Sequence, residues 1–173
     1  MKNCRWILLA GMLAAFPCAG AQTLVTERTL SLDAALEAAA AALAHCRKDG
    51  TQVTVTVTVL DHAGRAKVVL RDDGTRQYSV EHSYRKANTA LSYRTSSAEY
   101  GKRAAANFPA SAGPLNLPNM TTSGGGLPIR AGKTVVGAIG VSGSPGAQGV
   151  PGGAKDELCA QAGIDHIAQG LGG

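Results

Sequence analysis

Residues 124–143 read GGGLPIRAGKTVVGAIGVSG and contain a Gly-Lys-Thr triplet, which also ends the phosphate-binding P-loop motif. That motif requires a glycine at position 127, where the chain has Leu127, and Pro128 would remove a backbone N–H donor from the phosphate cradle. The residues after the triplet, TVVGAIGV, are β-branched or small and lack the apolar period of a helix. The pattern therefore excludes a P-loop and predicts two strands joined by a tight turn at residues 131–132.

A second hairpin is predicted earlier in the chain. Residues 51–60, TQVTVTVTVL, alternate valine with threonine, which is typical of a strand with one apolar face and one half-polar face. The turn sequence DHAG separates this strand from its predicted partner at residues 65–71. A long loop rich in proline and glycine covers residues 108–126, and we expect one short strand in it near Met120.

Four helices are predicted around the two hairpins. Ser31 and Ser79 are the expected N-caps of the first two, and the sequence SSAE forms a capping box that opens the third. The last helix is amphipathic, with Leu158 among its expected inward residues. This order of elements predicts one α+β domain, with helices packed on a mostly antiparallel sheet. The predicted helices cover residues 31–48, 79–94, 96–107 and 155–171.

The N-terminus has the pattern of a secretory signal peptide. Two basic residues precede an apolar run at residues 6–16, and an A-x-A cleavage site follows at residues 19–21. We expect cleavage before Gln22, which makes residues 1–21 the signal peptide and residues 22–173 a single domain. The apolar run is too short to span a bilayer, so we expect a periplasmic or secreted protein.

Charge and aromatic content exclude some partners of the mature chain. The leader holds two of the 17 basic residues and none of the 12 acidic ones, so its removal lowers the net charge from +5 to +3. This mild and scattered excess argues against nucleic acid as a partner. The mature chain keeps Phe108 and four tyrosines as its aromatic residues, too few for a stacking platform for bases or sugars.

Four segments follow one another as VTVTVLDHAGRAKVVLRDDG, YRKANTAL, GGGLPIRAGKTVVGAIGVSG and DELCAQAGIDHI. Together they resemble the GlcG/HbpS-like family of haem-associated proteins, and the resemblance covers nearly the whole mature chain. It implies a profilin-like three-layer α/β/α fold with a five-stranded antiparallel sheet. It also implies homo-oligomers and binding of haem or a related tetrapyrrole. Among the family, the signal peptide points to secreted members, for which a membrane sensor protein is a further expected partner.

Two cysteines remain after cleavage, Cys46 near the end of the first helix and Cys159 in the last helix. In an exported protein such a pair is more often a disulfide than two free thiols. The three-layer fold of the resembled family lets the first and last helices share one face of the sheet, which would bring the two cysteines together. The alternative is a pair of buried thiols that never meet.

A haem site needs an apolar slot, an iron ligand and cations for the propionates. Given the resemblance, His82 is the first choice of ligand, because it lies in the first turn of the second helix with Arg85 and Lys86 nearby. Met120 and Thr121 lie in the long loop that, by resemblance, borders the haem region. The alternatives are a solvated His82 and a Met120 that serves only to pack the loop.

The other histidines and serines have simpler interpretations. His62 follows Asp61 in a turn and is expected to be exposed, while His45 and His166 lie late in helices, where a cation complements the helix dipole. No H-x-x-x-H or C-x-x-C spacing indicates a zinc site. The segment GVSGS ends in Ser144 where a nucleophile elbow requires glycine.

The sequence thus predicts an exported haem-binding protein that acts in haem or iron sequestration, sensing or handling. The alternative is an enzyme, or an enzyme accessory, that acts on a small oxidised metabolite and binds haem incidentally. A convergent acid–base pair would favour that alternative, and none is visible in the sequence.

Overall fold

A computed structural model describes residues 24–48, 53–145 and 152–172. The predicted signal peptide and the first two residues of the first predicted strand lie outside these ranges. The elements in chain order are α1 (Leu32–Arg47), β1 (Thr56–Asp61), β2 (Ala66–Arg71), α2 (Ser79–Tyr93), α3 (Ser97–Ala106), α4 (Ala112–Leu115), β3 (Gly126–Ala131), β4 (Thr134–Ser142), α5 (Gly152–Ile167) and a 3-10 turn (Ala168–Leu171).

The described residues form a four-stranded antiparallel sheet in the order β2-β1-β4-β3. Both predicted hairpins are confirmed, but the prediction of five strands is wrong, as is the short strand near Met120. The backbone N–H of Thr121 donates to Thr89 Oγ1 on α2 (3.0 Å), and the N–H of Ser123 donates to Thr121 Oγ1 (3.2 Å). These two backbone N–H groups would have paired with the sheet if the segment were a strand, but here they donate to side-chain hydroxyls.

The sheet is covered on both faces, because every residue of β1 is buried. Its valines join the main apolar core with α1 and α5. Its threonines face α2, where Thr56 Oγ1 contacts Ser79 Oγ (2.8 Å) and Thr58 Oγ1 contacts Ser83 Oγ (2.7 Å). The half-polar face predicted for this strand therefore packs against a helix, and each hydroxyl pair contributes about 1 kcal/mol net.

Glycines let α2 lie directly on the neighbouring strands β3 and β4. A Cβ on Gly140 of β4 would lie 2.1 Å from the carbonyl oxygen of Ser83, and one on Gly126 of β3 would lie 2.0 Å from that of Lys86. No real side chain tolerates such distances, so the glycines here permit close packing. This packing places the first turns of α2 over the end of β4.

Two of the three predicted caps are confirmed. Ser31 Oγ accepts from the N–H of Ala34 (3.2 Å), and Ser96 Oγ accepts from that of Glu99 (3.1 Å). Ser79 is not a cap: it is the first residue of α2, and its hydroxyl donates to the carbonyl of Arg76 (2.7 Å) while contacting Thr56. Leu158, expected inward, is 64 % exposed on α5.

The predicted disulfide is confirmed. Cys46 of α1 and Cys159 of α5 are bonded, with their Cα atoms 5.5 Å apart, and the two cysteines are separated by 113 positions in the chain. Both are fully buried in the main core, so the bond ties together the two helices on one face of the sheet. Among the described residues, no helix is long and apolar enough to cross a membrane.

Candidate functional site

The imidazole of His82 lies between two hydroxyl groups in the first turns of α2. Its Nδ1 is 3.1 Å from Ser142 Oγ at the end of β4, and its Nε2 is 3.5 Å from Thr121 Oγ1 in the long loop. Ser142 is buried, whereas the ring of His82 is half-buried. When Nδ1 carries the proton and donates to Ser142, the Nε2 lone pair faces away from the sheet and is the one that can bind a metal.

The surroundings of His82 favour its neutral form. Burial lowers the pKa of the imidazole below its ordinary value of 6.5, and the neighbouring cation of Lys86 lowers it further. Asp156 acts in the opposite direction, and the smaller effects of Arg85 and Glu81 oppose each other. A neutral imidazole is the form that binds iron, so this environment suits a ligand.

Lys86 and Asp156 form a buried ion pair beneath this histidine. Their Nζ and Oδ2 atoms are 2.6 Å apart, and each side chain is 3 % exposed. Lys86 Nζ also donates to the carbonyl of Val141 (3.0 Å), and Asp156 Oδ1 accepts from the N–H of Ser144 (3.0 Å). The predicted partner of a propionate, Lys86, thus has no exposed surface to offer a ligand and instead joins α2 to α5.

A hollow of about 310 Å³ opens beside His82 and is lined also by Tyr78, Glu81 and Arg85. The Tyr78 ring is 54 % exposed, with its centroid 6.2 Å from that of His82. Arg85 pairs with Glu81, and within the described residues its Nε is buried without a hydrogen-bond partner. The hollow thus combines a ligand, an aromatic wall and a cation, the features a haem edge requires. It is too small to enclose a tetrapyrrole.

The loop residues predicted for the site separate into two groups. Thr121 contacts His82, as described above. Met120 packs against α2, with its Sδ 3.6 Å from Thr89 Oγ1 and 3.9 Å from Asn88 Nδ2. The thioether therefore faces the helix surface, in agreement with the packing alternative.

A larger cavity of about 980 Å³ lies on the other side of this loop, between α3 and α5. Its walls include Thr122, Lys102 and the exposed Leu158. It contains no histidine, so a haem there would lack the ligand that the hollow provides. No group of three or more acidic, histidine or cysteine side chains suited to a metal ion occurs among residues 24–48, 53–145 and 152–172.

Sequence reasoning missed three residues of the site: Ser142, Asp156 and Tyr78. Asp156 lies near the start of the predicted last helix, where the helix dipole alone explains an acidic residue, and Ser142 lies in the segment GVSGS, which lacks the final glycine of a nucleophile elbow. They lie 74 and 60 positions from His82 in the chain, so no local pattern connects them to it. Tyr78, four residues before His82, could have been found from its helical spacing.

Several known proteins are similar to this chain in sequence and fold. A family model described as "Haem degrading protein HbpS-like" matches residues 30–165. The crystal structure of HbpS is 36 % identical to this chain and has a TM-score of 0.72. The matched region covers 83 % of this chain and 93 % of the HbpS chain. The ORFY protein of Klebsiella pneumoniae is 27 % identical, with 85 % and 96 % coverage and a TM-score of 0.72. None of the curated protein sequences matches the chain.

One similar structure contains haem. The crystal structure of the PduOC–haem complex is 25 % identical to this chain, covers 80 % of it and 95 % of its own length, and has a TM-score of 0.68.

Proposed function

The chain belongs to the HbpS-like family, and from this we propose that it is an exported haem-binding protein that acts in haem or iron sequestration, sensing or handling. The observation that carries the proposal is the neutral, hydroxyl-held His82 at the edge of an open hollow. The haem complex of a protein with the same fold supports the choice of ligand.

In this proposal His82 binds the iron through Nε2, and Ser142 holds the ring in place through Nδ1. Thr121 would have to move aside to admit the iron, since its hydroxyl lies 3.5 Å from Nε2. Arg85, whose side chain is 41 % exposed, would form a charge-assisted hydrogen bond with a propionate through its guanidinium. The bound iron would supply the redox chemistry and the visible absorption.

Self-association would complete the site. The hollow is small and open, and two exposed side chains, Tyr78 (54 %) and Val80 (37 %), precede His82 in the sequence. A second copy packed over these side chains would cover the part of a haem that one copy leaves in water. We therefore propose a homo-oligomer, and light scattering that shows a monomer both with and without haem would contradict it.

The enzyme alternative requires a reactive group that a substrate can reach. His82 and Ser142 form a base–hydroxyl pair, but Ser142 is only 2 % exposed. A substrate has no access to that hydroxyl, so the pair favours a held ligand over a nucleophile.

Titration of the mature protein with haemin tests the proposal. We expect a saturable Soret band, and His82→Ala should weaken binding or change the spin state, since the iron loses its protein ligand. His166→Ala, which changes a histidine at the end of α5, is the matched control and should bind as the parent does. Lys102→Ala addresses the larger cavity. The assignment of His82 is wrong if this variant loses affinity while His82→Ala does not, and absence of any saturable band refutes haem binding altogether.

A further inference from the structure

A second polar cavity lies at the opposite end of α2 from His82. The turn after β1 and the turn before β4 lie at the same end of the sheet, because Asp61 pairs with Gly137 in the antiparallel ladder. The C-terminal part of α2 passes over this end, and Tyr84 Oη donates to the carbonyl of Gly64 in the first turn (3.2 Å). The two turns and the helix enclose a cavity of about 610 Å³.

The charged side chains lining this cavity are basic. Arg94 comes from the end of α2 and Lys133 from the turn before β4, and His62 lines the cavity from the first turn. Among the described residues, neither Arg94 nor Lys133 has a recorded ion pair. Two acids close to His62 are paired and do not line the cavity: Asp61 pairs with Arg65 (3.3 Å) and with two backbone N–H groups, and Glu27 pairs with His62 itself.

His62 provides an unused polar atom. It was expected to be an exposed turn residue, but its side chain is 25 % exposed and its Nε2 contacts the carboxylate of Glu27. Its Nδ1 is buried, with no hydrogen-bond partner in the part of the chain that the structure describes. Buried polar groups normally have partners, so this nitrogen indicates a missing one.

The end of α2 does not repel an anion as helix ends usually do. The last carbonyls of a helix carry partial negative charge. Here the guanidinium of Arg130 donates to the carbonyl of Arg94 (2.5 Å) and offsets it. The hydroxyls of Ser92 and Thr134, on α2 and β4, also line the cavity and add neutral donors.

We propose that this cavity binds a small organic dicarboxylate. Arg94 pairs with one carboxylate through its planar fork, Lys133 pairs with the other, and His62 Nδ1 binds a polar substituent. Two cations on separate elements suit two separated negative groups better than one compact ion. The site is independent of haem binding, since none of its lining residues contacts His82.

Calorimetric titration of the haem-free mature protein with succinate tests the proposal. Acetate and inorganic phosphate serve as the monoanion and the compact dianion. We expect saturable succinate binding in the millimolar range or tighter, and binding at least about tenfold weaker for acetate. Phosphate that binds more tightly than succinate would overturn the assignment of a dicarboxylate.

Variants locate the site. Arg94 is in the left-handed backbone region (φ 53°), so Arg94→Gly removes the charge without backbone strain, and Lys133→Ala removes the second cation. Each should weaken succinate binding by about tenfold or more. Arg103→Ala on α3 removes a matched surface arginine and should leave it unchanged, as should His82→Ala. Equal binding by Arg94→Gly, Lys133→Ala and the parent would refute the site, whatever the result of the haem titration.

Discussion

Lys86 of α2 and Asp156 of α5 form a fully buried ion pair, 2.6 Å between Nζ and Oδ2, that connects helices on opposite faces of the sheet. The ion pair lies near the end of β4, where the carbonyl of Val141 accepts a hydrogen bond from the same ammonium. We expect Lys86→Met to lower the free energy of unfolding by roughly 3–5 kcal/mol, because Asp156 is left as an uncompensated buried charge. Urea denaturation measures the loss.

The double variant Lys86→Met/Asp156→Leu is the control for that prediction. It removes both charges, so it should be markedly more stable than Lys86→Met alone. If single and double variants unfold at the same urea concentration, the pair is not what stabilises this region.

The lowered pKa of His82 predicts how haem binding depends on pH. The neutral ring binds iron, so affinity should stay level above pH 6.5 and fall only at lower pH, through the lowered pKa. The free energy of unfolding depends on pH in the same direction. Below pH 6.5 the unfolded chain binds more protons at this residue than the folded chain does, so stability falls as the pH falls. Haem titrations at a series of pH values measure the midpoint. A midpoint above 6.5 would contradict the effect of burial.

Removing the disulfide should lower the free energy of unfolding considerably. Cys46 and Cys159 close a long loop, so in the chain-entropy model their bond contributes roughly 4–5 kcal/mol. The variant Cys46→Ala/Cys159→Ala should unfold at a clearly lower denaturant concentration than the oxidised parent. Thiol labelling of the unfolded, unreduced parent provides the control, and two reactive thiols per chain would mean that no bond forms.

Close packing at Gly140 predicts that even one methyl group is harmful there. In Gly140→Ala the new carbon would meet backbone atoms of Ser83 and Ala87, neither of which can move without displacing α2. We expect a loss of several kcal/mol or failure to fold. Gly113→Ala, where nothing lies within 4 Å, is the matched control and should change stability by less than about 0.5 kcal/mol.

Local patterns predicted much of the fold. The alternation in residues 53–60, the second hairpin and the caps at Ser31 and Ser96 depend on neighbours a few residues away, and the structure agrees with them. The turn of that hairpin lies at residues 132–133, one position later than predicted. The five-stranded sheet implied by the resemblance is wrong, and so is the short strand expected near Met120. No strand forms there because the N–H of Thr121 donates to a side chain of α2, a contact across 32 positions.

The candidate site was predictable only in part. The helical spacing of residues 78–85 brings together the side chains that line the hollow, and a sequence can show such spacing. The partners of His82 and Lys86 come from β4 and α5, which reach them only through tertiary packing. An acidic residue near a helix N-terminus looks alike whether it serves the helix dipole or pairs with a distant lysine, so Asp156 gave no distinguishing signal.

The hydroxyl contacts between β1 and α2 also fix where His82 can lie. Four residues of helix advance about 6 Å and two residues of strand about 6.7 Å, so Ser79 and Ser83 keep step with Thr56 and Thr58. An all-apolar interface would let the helix slide or turn with little penalty, whereas here any shift would separate both pairs and leave the buried hydroxyls of Thr56 and Thr58 without partners. The two hydroxyl pairs therefore fix the position of α2 along β1. They also fix the position of His82, the residue that precedes Ser83.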